Sequence, residues 1–257
     1  MKTRQLAKIL EPAFRAYQVQ MLPHTFLGVR LSLQISQEVM KAREESHVSL
    51  TWRDSFNVVA SRLMETSGFD VEFAYVFDSE IHLLISESGN VFQRDLQRSV
   101  SSLAVQASLI FSHKQHAPGM FDCRISGLPS WEYAFDYFSH QRTNCRSHAV
   151  NAMCQYAMEL TFPDLNTHTV NQRMSKMDHD ARLKYAQAFG TLHRGGGHMC
   201  DWFQFGHLLK WTECTRPCTG KDGTPSSYET RRIDMRPAPG DTGVFCDELS
   251  CIVYGDE

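Results

Sequence analysis

Asp78, Ser79 and Glu80 place two carboxylates two positions apart between two apolar runs, and His82 follows two places later. Side chains two apart on an extended segment share a face, so Asp78, Glu80 and His82 are candidates for acid chemistry or for a magnesium site built from oxygen ligands. They equally fit the hydrated tip of a hairpin. A second constellation is Arg94, Arg98 and Ser101, whose spacings of four and three put them on one side of a helix. Such a face suits phosphate oxygens, or is simply solvated. A third comprises His193, His198, Cys200, His207, Cys214 and Cys218. Only Cys214 and Cys218 form a tight pair there, and no second pair of firm spacing adjoins it, so free thiols are expected rather than zinc. No motif brings a base to one hydroxyl or thiol, so no nucleophile is assigned.

The elements that must hold these residues follow from periodicity. HTFLGVRLSLQIS (24–36) predicts a strand entered after Pro23, and Phe56, Val59, Leu63 and Met64 predict an amphipathic helix over 53–67 that stops at Gly68. VEFAYVF (71–77) and IHLLIS (81–86) read as a hairpin joined by Asp78, Ser79 and Glu80. A long helix runs from Phe92 to about Ser112, and MFDCRIS (120–126) is another strand, in which Asp122 and Arg124 should tie the sheet to the C-terminal part by an ion pair. The order β-α-β-β-α-β predicts an α+β, ferredoxin-like sheet with two helices on one face. Beyond Pro129 helices return, while 193–257, with three consecutive glycines and five of the eight cysteines, predicts loops and short strands laid over the core. The expected division is a sheet domain over 1–128 and a helical, loop-rich extension over 129–257.

Composition bounds the rest. Over 257 residues, 42% hydrophobic and 21% charged residues describe a globular protein rather than a disordered or fibrous one. With 26 basic and 29 acidic residues the net charge is −3, so any nucleic-acid contact must come from a local patch. No apolar run reaches about 18 residues and the charged start does not read as a secretory signal, so a cytoplasmic location with reduced cysteines and no membrane partner is expected.

Several stretches together resemble the tRNA-histidine guanylyltransferase family, whose palm-like sheet adds a nucleotide to a tRNA 5′ end. They are LPHTFLGVRLS (22–32), YVFDSEIHLL (75–84), FQRDLQRSVSSLA (92–104), FDCRISGLPS (121–130), DYF (136–138), Asn151 and GHLLKW (206–211). The resemblance implies a palm-like fold, a GTP-like nucleoside triphosphate, tRNA or other RNA as partner, magnesium as cofactor and a homo-oligomer. It also implies that Arg94, Arg98 and Ser101 contact a triphosphate. The departures fall on the chemistry. The family's Leu-Asp-Gly-Arg run is matched to Leu27-Gly28-Val29-Arg30, and its Ser-Asp-Glu to Asp78-Ser79-Glu80, so neither metal-binding aspartate stands in its place. Two-metal nucleotidyl transfer needs carboxylates that bridge ions about 3.5–4 Å apart. The expectation is a nucleotide- or RNA-binding pseudoenzyme, the alternatives being a shifted metal site at Asp78 and Glu80, or a zinc-stabilised interaction module.

Overall fold

A computed structural model describes residues 19–34, 50–194, 201–219 and 225–254. Its centre is a six-stranded antiparallel sheet in the order β4-β1-β3-β2-β5-β6. The strands are β1 (Phe26–Gln34), β2 (Val71–Phe77), β3 (Glu80–Ile85), β4 (Met120–Leu128), β5 (His207–Thr219) and β6 (Pro225–Pro237). The first four arise where the alternating and β-branched runs predict them, and they carry the expected βαββαβ order.

Each face of the sheet is covered by helices. Against one lie α1 (Leu50–Thr66) and α2 (Leu96–Gln115), which bury Leu27, Val29, Leu31, Val76, Ile81 and Leu83 together with their own Phe56, Leu63, Leu103 and Phe111. Phe56, Phe111 and Phe121 meet in tilted and edge-on pairs at 5.3–5.9 Å, a geometry that adds about 0.5–1.5 kcal/mol per pair beyond area burial. On the opposite face lies α3 (Trp131–Thr161), a single 31-residue helix. Its Trp131, Ala134, Phe138 and Cys145 pack on Phe26, Phe73, Tyr75, Phe77, Leu84 and Leu208, with α7 (Thr242–Tyr254) contributing Phe245 and Leu249. The far half of α3 forms a smaller core with α4 (Thr167–Ser175) and α5 (His179–Arg194) through Cys154, Met158, Val170 and Met174. A short helix, α6 (Asp201–Phe205), leads into β5.

The C-terminal part departs from the expectation of loops and short strands. It supplies two 13-residue strands, β5 pairing with β2 through His207–Lys210 and then running on with β6 as a long hairpin. Leu208 and Leu209 are fully buried on opposite faces, whereas the outer hairpin is mostly exposed and so carries little hydrophobic pattern from which to be read. The sheet therefore continues through residues on both sides of position 128. The ion pair of Asp122 and Arg124, at 3.1 Å, is local to β4 and ties nothing to the C-terminal part.

Candidate functional site

Hairpin geometry decides what the two central acids can do. The turn between β2 and β3 consists of Asp78 and Ser79, and Asp78 takes a left-handed φ of 47°, which aspartate tolerates because its short polar chain bonds locally. Glu80 opens β3 and faces the α3 side of the sheet. There its carboxylate is forked by Arg30, whose Nε donates to Oε2 at 3.0 Å while Nη2 engages Oε1. His82 is fully buried and bonds Glu80 Oε2 through Nε2 at 3.1 Å and the Tyr137 hydroxyl through Nδ1 at 2.9 Å.

Protonation fixes the direction of this chain. Burial works against a charged Glu80, but the hydrogen bonds from His82 and Arg30 outweigh it and hold the carboxyl at about 2. Burial is the largest influence on His82 and lowers its pKa, and burial also raises that of Tyr137, so the ring is neutral and the phenol keeps its proton. Tyr137 O–H therefore donates to Nδ1, Nε2–H donates to Glu80, and Arg30 supplies the countercharge. These four side chains close the open face of the sheet where β1 and β3 pair.

Register places the missing acid differently from the sequence match. Ser32 stands opposite Glu80, and Asp122 stands opposite Ser32 on the other side. Gly28 pairs with Leu84, four residues back along β1, or about 13 Å at 3.3 Å per residue. A Cβ at Gly28 would lie 2.9 Å from Leu128 Cδ1 and 3.5 Å from Tyr137 Cε1. Gly28 thus sits under an apolar lid, and the position that could converge with the hairpin acid is Ser32. Among the described residues no three His, Cys, Asp or Glu side chains are grouped to hold a metal ion.

Asp78 and Glu80, paired in the sequence expectation, have different surroundings. Asp78 lines a 330 Å³ cavity with Trp52 and Phe56 of α1, Cys145 and His148 of α3, Trp202 and Phe203 of α6, and His207 at the start of β5. Phe77 lines the cavity beside Asp78, with its ring stacked on His82 at 5.3 Å and edge-on to His148 at 6.0 Å. Glu80 belongs to the Arg30 network and is absent from the cavity wall.

The arginine face is also divided. Helix α2 begins at Leu96, capped by the Asp95 carboxylate, which accepts from Arg98 N at 2.8 Å. Arg94 precedes the helix in a turn with φ of 59° and is buried. Its guanidinium donates to the carbonyls of Glu87, Gly89 and Thr25 and to Thr25 Oγ1, at 2.7–3.2 Å, so it locks the start of β1 to the end of β3 and offers no phosphate face. Arg98 and Ser101 are exposed on α2, where the Ser101 hydroxyl bonds back to the Gln97 and Arg98 carbonyls. They lie at the end of β3 away from its turn, about 20 Å along the strand from Asp78.

Of the cysteine and histidine cluster, His198, Cys200 and the side chain of His193 lie outside the described residues. Cys214 and Cys218 share β5 at a separation of four residues, roughly 13 Å on a strand, which no single zinc ion with 2.3 Å thiolate bonds can span. His207 is elsewhere, stacked at 6.0 Å on Trp202 in the cavity wall, and burial followed by Arg53 lowers its pKa to about 4. Burial pushes the neighbouring Cys145 thiol up to about 12, so Cys145 offers the cavity no thiolate. No local spacing signals this cavity, because its wall is assembled from five segments between Trp52 and His207.

No protein-family profile matches the sequence, and no curated protein sequence matches it. Solved structures do. The crystal structure of tRNA(His) guanylyltransferase from Saccharomyces cerevisiae is similar at a TM-score of 0.64 and 14% identity, covering 77% of this chain and 91% of that one. A bacterial tRNA(His) guanylyltransferase-like protein in complex with GTP gives 0.67 and 13%, covering 97% and 99%. The same description in complex with ATP gives 0.69 and 13%, covering 98% and 100%. The chain has the α+β palm fold of these guanylyltransferase structures, as the sequence resemblance implied.

Proposed function

We propose that this chain is a divergent protein on the guanylyltransferase fold that binds a nucleoside triphosphate, with RNA as a further partner, and that does not carry out two-metal nucleotidyl transfer. The carrying observation is the pairing of Glu80 with Arg30 and His82 opposite Ser32. A magnesium pair bridging a triphosphate needs carboxylates whose lone pairs face the ions. Here one strand position presents a hydroxyl, and the hairpin carboxylate already accepts from a guanidinium and an imidazole. The residues present do not fit the family's metals. A site shifted to Asp78 and Glu80 is disfavoured because Glu80 is engaged by Arg30 and His82 while Asp78 lines the cavity, whose wall does not include Glu80. The nucleotide part of the reading is supported by the similarity to structures described in complex with GTP and ATP.

The test has two arms. Calorimetric titration with GTP and ATP should show saturable binding. Incubation of labelled GTP with tRNA and Mg²⁺ or Mn²⁺, followed by gel separation, should leave the RNA unlabelled. Label on the RNA overturns the loss of transfer, and no binding of either nucleotide overturns the nucleotide reading.

A further inference from the structure

The cavity beside Asp78 has no part in the Arg30 network. It is contributed by α1, the β2–β3 turn, α3, α6 and β5, so its wall belongs to elements fixed by both main cores. At 330 Å³ it falls at the lower end of the range for small-molecule sites, about 300–1,000 Å³. Its apolar surface is chiefly aromatic, from Trp52, Phe77, Trp202 and Phe203. Hydrogen-bonding groups are set among these rings, with Asp78, His148, Asn151 and Gln155 all in the wall. Flat aromatic surfaces with a few polar groups at their edges are what a planar heterocycle needs, because any base can stack on a ring and its edge then seeks donors and acceptors.

Charge argues against a phosphate inside. Among the described residues Arg53 is the one lysine or arginine in the wall, and it is held over the Trp202 ring at 4.9 Å with Asp54 on its Nη2 at 2.6 Å. Arg53 is thus already engaged by Asp54 and the Trp202 ring, and the Asp78 carboxylate adds negative charge to the same wall. An uncharged bicyclic ring system is favoured over a smaller pyrimidine, which would leave part of the aromatic wall uncovered.

From this wall we propose that the cavity between Trp52, Phe77 and Phe203 binds a purine base, with the Asp78 carboxylate at its hydrogen-bonding edge and the ribose directed outward. This rests on the nucleotide reading and names the place of the base. Phe77 then separates base binding on one side from the Glu80 network on the other.

The experiment uses the full chain and nucleosides without phosphate. Adenosine, guanosine and cytidine are titrated while tryptophan fluorescence is followed, since Trp52 and Trp202 line the cavity. A purine nucleoside should quench saturably and cytidine at least tenfold more weakly. Ala152→Leu narrows the cavity from the partly exposed side of α3, and Phe203→Leu removes one ring, so each should weaken purine binding at least tenfold with the thermal midpoint near wild type. The proposal is overturned if no purine nucleoside binds, or if both folded variants bind as wild type does. ATP or GTP bound equally by wild type and both variants would overturn the base site and leave the nucleotide reading standing. Failure of ATP and GTP as well as the nucleosides would overturn both.

Discussion

Ser32 and Glu80 face one another across β1 and β3, and the carboxylate that could join a neighbour at the serine is turned instead into the fork of Arg30. This one pairing distinguishes a closed sheet face from one that can gather divalent cations.

The register makes opposite predictions for two aspartate substitutions. Gly28→Asp would force a carboxylate under Leu128 and Tyr137 and should destabilise the fold by about 3 kcal/mol or more, without gain in cation affinity. Ser32→Asp would place a carboxylate between Glu80 and Asp122 at little cost to folding and should raise Mn²⁺ affinity. Urea unfolding and Mn²⁺ titration of both variants check this. Tighter Mn²⁺ binding by a stable Gly28→Asp variant would place the cation-gathering position at Gly28 instead of Ser32.

Glu80 should make stability depend on acidity. Its carboxyl lies at about 2 in the folded protein against 4.5 ordinarily, so the unfolded chain takes up a proton first as pH falls. The contribution is fully present above about pH 5 and is lost as pH drops from there towards 2. Roughly 2–3 kcal/mol is at stake for a carboxylate this buried. Denaturant midpoints measured between pH 6 and 2.5 should fall steeply in wild type, and a Glu80→Gln variant should lose part of that slope. Parallel curves would remove the charge-paired Glu80 from the account.

Much of this architecture is legible in the residues. Strand patterning and the helical spacing of Phe56, Val59 and Leu63 predict β1 to β4 and α1 to within a few positions, because α1 buries one continuous face and β2 and β3, covered on both faces, read as near-continuous apolar runs. Helix α2 is less clear at its start. Phe92 continues its apolar spacing but sits in a left-handed turn, and the informative residue is Asp95, a helix-capping type directly before Leu96. The cavity and the Arg30–Glu80 pair depend on which strand positions face each other and on segments over a hundred residues apart, which no local spacing records.

Arg94 should behave as a structural residue. Its fork holds three carbonyls and a hydroxyl from Thr25, just before β1, and from the segment after β3, so Arg94→Ala would leave several buried acceptors without donors and cost about 2–4 kcal/mol. Arg94→Lys should recover only a fraction, since an ammonium cannot span the same set. Arg98→Ala, on an exposed helix position, should change stability by less than about 0.5 kcal/mol. Chemical denaturation of the three variants decides it, and equal effects of Arg94→Ala and Arg98→Ala would return Arg94 to the solvated class.

Gly206 joins α6 to β5 and governs the cavity wall from behind. Its φ of +75° lies where side chains are strained, and a Cβ there would come within 2.6 Å of the Val76 carbonyl oxygen and 3.1 Å of the Tyr75 ring. The same residue donates its N–H to the Trp202 carbonyl and accepts from Ala238 N–H, both at 3.0 Å. Beside it the Tyr75 hydroxyl donates to the Phe205 carbonyl at 2.6 Å. Close backbone contact at this point sets where Trp202, Phe203 and His207 stand. Gly206→Ala should therefore cost about 2–4 kcal/mol, from backbone strain together with the clash against fixed backbone. Because relief requires α6 to move off the sheet, it should also alter the fluorescence of Trp202 below the unfolding transition. A folded Gly206→Ala protein with wild-type stability and an unchanged emission spectrum would refute the tight junction.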